Sequence, residues 1–321
     1  MTDVHDAIRL VNEAHTDEDL FGTEDPHRRY LRLAAVLHPD RVEAGTRAAA
    51  TEAFVTLTTR WRARGTVVFG GYRVGAVTHA GDIANLYGLG AGQFLKQPRR
   101  PANNDLIERE VRALRRIAEQ GDPRYLPYVP RLVDTFRHRE PATGAERRIN
   151  VLGSAPHLMS LAEVARRRPD GLDPRDVAWM WRRLLVALGL SHRAGVVHGA
   201  VLPEHVLIEP TEHGVVLVDW CYSVVDSMDH VPAVVPRYAD WYPPEVHKRQ
   251  IPGPGTDIAM ATRCMTALMG DRAPAPLLAF AAGCTLPSPG ARPDDAWRLL
   301  AELDDVLERL YGARTFRPLH L

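Results

Sequence analysis

Of the 40 basic residues in this chain only two are lysines, Lys96 and Lys248, which leaves 38 arginines. Arginine fills nearly every place that calls for a cation. A lysine that persists therefore points to a compact point charge that a bulkier planar guanidinium does not replace. Lys96 closes a short apolar run, Gln93-Phe94-Leu95-Lys96, and Asp219 closes another at 215–218. A carboxylate at a strand end can cap a turn or hold a metal ion. The histidines at 192, 198, 205 and 213 are further candidates for proton exchange or metal binding. Their spacing spreads them over a helix, a loop and a hairpin, which argues against a shared zinc site. Cys221, Cys264 and Cys284 are widely spaced and odd in number, as reduced thiols are, and no C-x-x-C pair occurs.

The elements that must position these groups can be read from periodicity. A helical pattern at 177–190 leads into Val-Val-His-Gly-Ala-Val-Leu-Pro-Glu-His-Val-Leu-Ile at 196–208. The apolar runs 206–208 and 215–218 flank turn residues at 209–214 and predict a β-hairpin that ends on Asp219. Upstream, 72–77 and 83–89 read as strands around a loop at 78–82, and 93–96 as a third strand. A strong helix is expected over 103–119, a strand at 149–152, and further helices at 161–167, 257–268 and 299–311. Asp173 and Pro174 mark the start of the long helix. The segment 316–319 is expected to pack back onto the larger lobe.

The first sixty residues differ in character. Tyr30, Leu33, Ala34 and Leu37 recur at helical spacing and make one apolar face over 26–37, with Arg28, Arg29 and Arg32 on the remaining surface. Asp25 and Pro26 suit the helix start. His38-Pro39-Asp40 ends it, because the residue before a proline avoids the helical region. A second helix at 46–61 groups Phe54, Leu57 and Trp61, and an earlier one at 4–14 packs alongside.

At 321 residues and 45% apolar composition, the chain is long enough for two domains with ordinary cores. Zero formal net charge argues against nucleic acid or an anionic membrane as the main partner. The acidic opening residues predict no secretory leader, and the apolar run 276–284 is too short to span a bilayer. A soluble, cytoplasmic protein is expected.

The ordered series of motifs over 67–321 resembles the protein kinases. The resemblance implies a two-lobed α+β fold, with a β-rich lobe at 67–152 and an α-rich lobe at 153–321. By that resemblance Lys96 is the strand lysine that contacts the ATP phosphates, and Glu110 is its helix partner, with Glu108 the fallback. Gly81 stands in the lid over the phosphates, 153–157 is the hinge, and Asp219 and His205 occupy the metal-binding positions. His198, Glu245, Asp257 and Arg292 match scaffold positions. The helix on which kinases dock protein substrates has almost no room between residues 270 and 276. Several places depart from the pattern: Ala200 replaces the base, Leu202 the lysine that steadies the γ-phosphate, His205 the metal-binding asparagine, and Trp220-Cys221 the Phe-Gly that follows the metal-binding aspartate, while only Gly81 stands in the lid loop. Neither Ala200 nor Leu202 can take a proton or neutralise charge. A missing base alone costs about 10²–10⁴ in rate.

Residues 1–66 resemble the J domain of DnaJ-type co-chaperones, a small all-α helical hairpin. His38, Pro39, Asp40, Arg28, Arg29 and Arg32 stand where that family engages a DnaK-type chaperone. The resulting expectation is a J domain fused to a pseudokinase without catalytic residues. It would act as an adaptor that brings a DnaK-type chaperone to a client held by the kinase-like part, with ATP and magnesium as structural ligands. An atypical serine/threonine-type kinase in which Glu204 or Asp219 replaces the missing base is the alternative, and a pure interaction module with an empty cleft is a third reading.

Overall fold

Asp25 accepts the Arg28 N–H at 3.1 Å and Pro26 takes the first turn, so α3 (Pro26–Leu37) begins where its sequence signals place it. Leu33 and Leu37 are buried on its inner face, beside Ala50, Ala53 and Leu57 of α4 (Arg47–Ala63). α1 (Val4–Glu13) packs against both helices through Ala7 and Val11. The short α2 (Asp17–Phe21) has a reciprocal Thr16–Asp19 cap and adds Leu20 and Phe21 to the same core. Trp61 stacks on Tyr30 with centroids 4.5 Å apart, closing the open end of the hairpin.

The computed structural model describes residues 3–22, 24–63, 67–140, 143–155, 157–225 and 229–320. The chain divides into two compact units, 1–77 and 78–321. The strand expected at 72–77 is corrected. Its first part, β2 (Tyr72–Val74), pairs back on β1 (Val67–Phe69), so this hairpin belongs to the first unit. Gly70-Gly71 between them, with Gly70 at φ 58°, is a tight-turn pair that competes with the longer loop.

The second unit opens on an antiparallel five-stranded sheet. It comprises β3 (His79–Ala80), β4 (Ala84–Gly90), β5 (Gln93–Pro98), β6 (Arg131–Arg139) and β7 (Glu146–Gly153), in the order β3-β4-β5-β7-β6. Register sets Lys96 on β5 directly opposite Asn150 on β7. α5 (Asn104–Gln120) lies against this sheet with Leu106, Ile107, Val111, Leu114 and Ile117 buried. Glu110 sits in the same buried stripe.

The rest of the unit is helical around α7 (Pro174–Arg193), which is buried on almost every side and is therefore the central helix. β8 (Met159–Ser160) and α6 (Leu161–Arg167) precede it. β9 (Val196–Val197) follows, then the hairpin β10 (Val206–Glu209) and β11 (Gly214–Leu217), then β12 (Val224–Val225), which pairs with β9. α8 (Pro244–His247), α9 (Pro254–Met269), α10 (Ala275–Cys284) and α11 (Ala296–Tyr311) complete it. Only a one-turn 3-10 segment, Gly270–Arg272, lies between α9 and α10. Leu319 packs onto the core as expected, but Phe316 is 61% exposed and meets only the rim, its ring 4.5 Å from His213. Among the described residues no helix is long and apolar enough to cross a membrane.

Candidate active site

Asp257, in the first turn of α9, is fully buried and accepts the backbone N–H groups of His198 at 2.7 Å and Gly199 at 2.8 Å. His192 Nε2 joins the same carboxylate at 2.9 Å. The helix N-terminus adds its own positive end, so the loop carrying His198 to His205 is fixed by charge-assisted bonds. Gly199 at φ 75° lies so close to the Tyr222 carbonyl that a Cβ would sit 2.6 Å from it. Only glycine fits there. His198 takes its place in the core as a neutral ring. Its Nε2 donates to the Val218 carbonyl at 2.9 Å, its Nδ1 accepts from Ala200 N at 3.3 Å, and burial pushes it down to about 4. Ala200 and Leu202 are fully buried within the apolar core.

Asp219 leaves β11 in the left-handed region, at φ 65° and ψ 57°. A non-glycine residue there carries about 1–3 kcal/mol of strain, which the bonds around it must offset. Its Oδ1 accepts from Lys96 Nζ at 2.6 Å, and its Oδ2 lies 3.2 Å from His205 Nε2. Lys96 Nζ also donates to Glu110 Oε1 at 2.9 Å and contacts Cys221 Sγ at 3.1 Å, which engages all three of its donors. Asn150 Nδ2 holds the other Glu110 oxygen at 3.0 Å. Glu110, not Glu108, is thus the lysine's partner; Glu108 pairs with Arg148 at 2.9 Å.

Burial opposes the charge on Lys96, yet the carboxylates of Asp219 and Glu110 hold it well above its ordinary value. Burial likewise opposes charge on Asp219, but Lys96 and His205 hold its carboxyl well below the usual range. His205 is raised, with burial outweighed by Asp219 and by its bonds. The thiol of Cys221 is pushed up by burial and stays neutral. Glu110, Asp219 and Cys221 form a set of metal-type ligands, and Lys96 Nζ is bonded to all three. Its ammonium is the cation of that set.

Trp220 is fully buried, with its Nε1 donating to the Leu217 carbonyl at 2.8 Å and its ring edge-on to His198. Tyr222 lies parallel to the His205 ring at 5.9 Å, and its hydroxyl donates to Asp82 Oδ2 at 2.6 Å. Asp82 is in the lid turn between β3 and β4. The Gly81 N–H is bonded to the Ala84 carbonyl at 2.9 Å, so it turns into the hairpin rather than the cleft. The expected hinge, 153–157, includes Pro156, which lies outside the described residues. Away from the cleft, Arg292 grips Glu245 with two bonds of 2.8 and 2.7 Å, and Thr256 donates to the same carboxylate at 2.9 Å.

In the first unit Arg28, Arg29, Arg32, His38 and Asp40 are all exposed on α3 and the loop that ends it. The His38 ring rests edge-on against Phe54 at 5.5 Å, and its Nδ1 accepts from Asp40 N at 3.4 Å, which fixes the turn around Pro39.

No family model matches the chain. A 45-residue stretch is 40% identical to casein kinase II subunit alpha' of Saccharomyces cerevisiae, covering 14% of this chain and only 13% of that protein. The solved kinase domain of Mycobacterium tuberculosis PknI matches 75% of this chain and 98% of its own length, with a TM-score of 0.56 and 16% identity. A doubly substituted form of that domain gives 0.58 over the same shares. The fold is protein kinase-like.

These likenesses overturn the expectation that the chain is not an enzyme: the matched structures are kinase domains, and the curated match is a kinase subunit. That expectation rested on Ala200 and Leu202. Phosphoryl transfer, however, leaves little covalent chemistry to the protein, and positioning and electrostatics carry most of the rate. Losing a proton acceptor subtracts one contribution and leaves the others.

ATP with a divalent ion is the group this fold implies, and most of the residues fit it. Lys96, braced by Glu110, would hold phosphate oxygens, and Asp219 with His205 would hold the ion, which supplies charge neutralisation when bound. The lid fits less well, because Asp82 brings a carboxylate where phosphates approach. Sequence reading missed Asn150, Cys221, Tyr222 and Asp82. Asn150 alone left a signal, as a lone amide inside the apolar run 149–152.

Proposed function

We propose that the second unit is a protein kinase-like phosphotransferase of serine/threonine type that works without an aspartate at position 200. The observation that carries this reading is the continuous chain of contacts Asn150–Glu110–Lys96–Asp219–His205, which joins the sheet, α5 and the catalytic loop. Burying an ammonium costs desolvation energy that its carboxylate partners must offset, and charged clusters of this kind concentrate at functional sites. Of the two acids able to replace the base, Asp219 has both oxygens engaged by Lys96 and His205. Glu204 lies on the catalytic loop, keeps a quarter of its side chain exposed, and is paired with Arg237 of the following segment. Glu204 is accordingly the proposed proton acceptor, freed when Arg237 shifts. Transfer of label from γ-labelled ATP to a generic protein acceptor tests this. Lys96→Ala and Asp219→Ala should each abolish transfer, and Glu204→Gln should slow it about 10²-fold. Label transfer that persists in Lys96→Ala would show a contaminating kinase and remove the support for this reading.

We further propose that the first unit is a J-like module that docks a DnaK-type chaperone through His38, Pro39, Asp40 and the arginines Arg28, Arg29 and Arg32. The exposed loop, held rigid by its contact with Phe54, supports that reading. The client would be a protein that the kinase-like unit binds.

A further inference from the structure

The metal-binding position of this cleft is not an all-oxygen one. His205 Nδ1 lies 2.8 Å from the Ala200 carbonyl, an acceptor, so Nδ1 carries a proton and donates it. The ring is thereby oriented with Nε2 facing Asp219 Oδ2 across 3.2 Å. A backbone carbonyl that fixes the far nitrogen while the near one faces a carboxylate is how proteins prepare histidine as a metal ligand. Two ligand atoms, each about 2.1 Å from one ion at right angles, stand about 3 Å apart. The separation here matches neighbouring corners of a single coordination shell.

We propose that His205 Nε2 and Asp219 Oδ2 form a mixed nitrogen–oxygen divalent site that selects manganese- or cobalt-type ions over magnesium as the companion of the nucleotide. Magnesium prefers oxygen ligands in a near-ideal octahedron, whereas imidazole suits later first-row ions, which bind more tightly to nitrogen. Asp219 supplies the charge and His205 the discrimination. Ala200 contributes through its backbone alone, so the residue that lacks a catalytic side chain still orients the ligand. The inference rests on the phosphotransferase reading for its nucleotide and on the His205–Asp219 geometry for its metal, and the two can fail separately.

Two measurements on the full chain test it. In thermal-shift titrations with ATP at matched free MnCl2, CoCl2 or MgCl2, half-maximal stabilisation should need about tenfold less ATP with manganese or cobalt than with magnesium. His205→Asn should remove that preference. Pulsed electron paramagnetic resonance on Mn2+ added to the wild-type chain should show coupling to an imidazole nitrogen, lost in His205→Asn; this readout needs no turnover. Equal ATP requirements with manganese and magnesium, together with no nitrogen coupling, would overturn the inference and leave the phosphotransferase reading in place. Full ATP-induced stabilisation in EDTA would also overturn it. Nitrogen coupling with no ATP shift under any metal would uphold the metal pair and sink the nucleotide reading.

Discussion

Protonating His198 is opposed twice: by burial, and by the Ala200 N–H pointing at the nitrogen that would receive the proton. Its pKa falls from an unfolded 6.5 to about 4 in the folded chain. A depressed folded value means the contribution is complete above pH 6.5 and is lost as pH drops toward about 4. The loss amounts to on the order of 3 kcal/mol in total. His205 does not offset this loss. Its folded value is raised, so its stabilisation is complete below 6.5 and fades only as pH climbs through the folded value. Urea midpoints measured between pH 7 and 4.5 should fall steeply in the wild type and less steeply in His198→Gln. Parallel slopes would show that another group controls acid unfolding. Lys96 and Asp219 were legible in the sequence because each closes an apolar run, where only a partner makes a charge tolerable. Glu110, Asp257 and Arg292 stand among polar or turn residues and were placed by the kinase resemblance alone.

Tyr222 and Asp82 are 140 residues apart, and no local pattern links them. Periodicity reports which face of an element is buried but not which distant loop it will meet, so this contact lay beyond sequence reading. The misplaced strand has a different cause: a local signal, the glycine pair at 70–71, turned the chain back within a few residues. The Tyr222 hydroxyl ties the lid turn to the segment after Asp219. Tyr222→Phe should cost only about 1 kcal/mol of stability. Hydrogen exchange at 79–84 should rise in that variant, and ATP should bind with a faster association rate. Unchanged exchange there would mean that other contacts hold the lid. Helix packing gives a second expectation at this scale. Gly189 on α7 faces the indole of Trp297 on α11 so closely that a Cβ would overlap the ring. Gly189→Ala should therefore destabilise by about 1–3 kcal/mol despite alanine's better helix propensity. Gly283→Ala on α10, with nothing within 4 Å of its Cβ position, should stabilise slightly. Thermal denaturation of both variants separates packing from propensity.

Over the whole molecule, two units with separate cores share one chain whose formal charges cancel. Both halves of the proposed function meet in the full chain. It should raise the ATPase rate of a DnaK-type chaperone several-fold, and His38→Gln should lose that effect while retaining ATP-induced stabilisation. If His38→Gln stimulated the chaperone as well as the wild type does, the docking loop would lie elsewhere. The two lysines have a practical consequence of their own. Lys248 is exposed just beyond α8, whereas Lys96 is 5% exposed and bonded on three sides. An amine-acylating reagent applied to the native protein should mark position 248 at once and reach 96 only when the lobe opens. Peptide mass spectrometry after such labelling thus reads out cleft opening at a single site, against an internal reference in the same molecule.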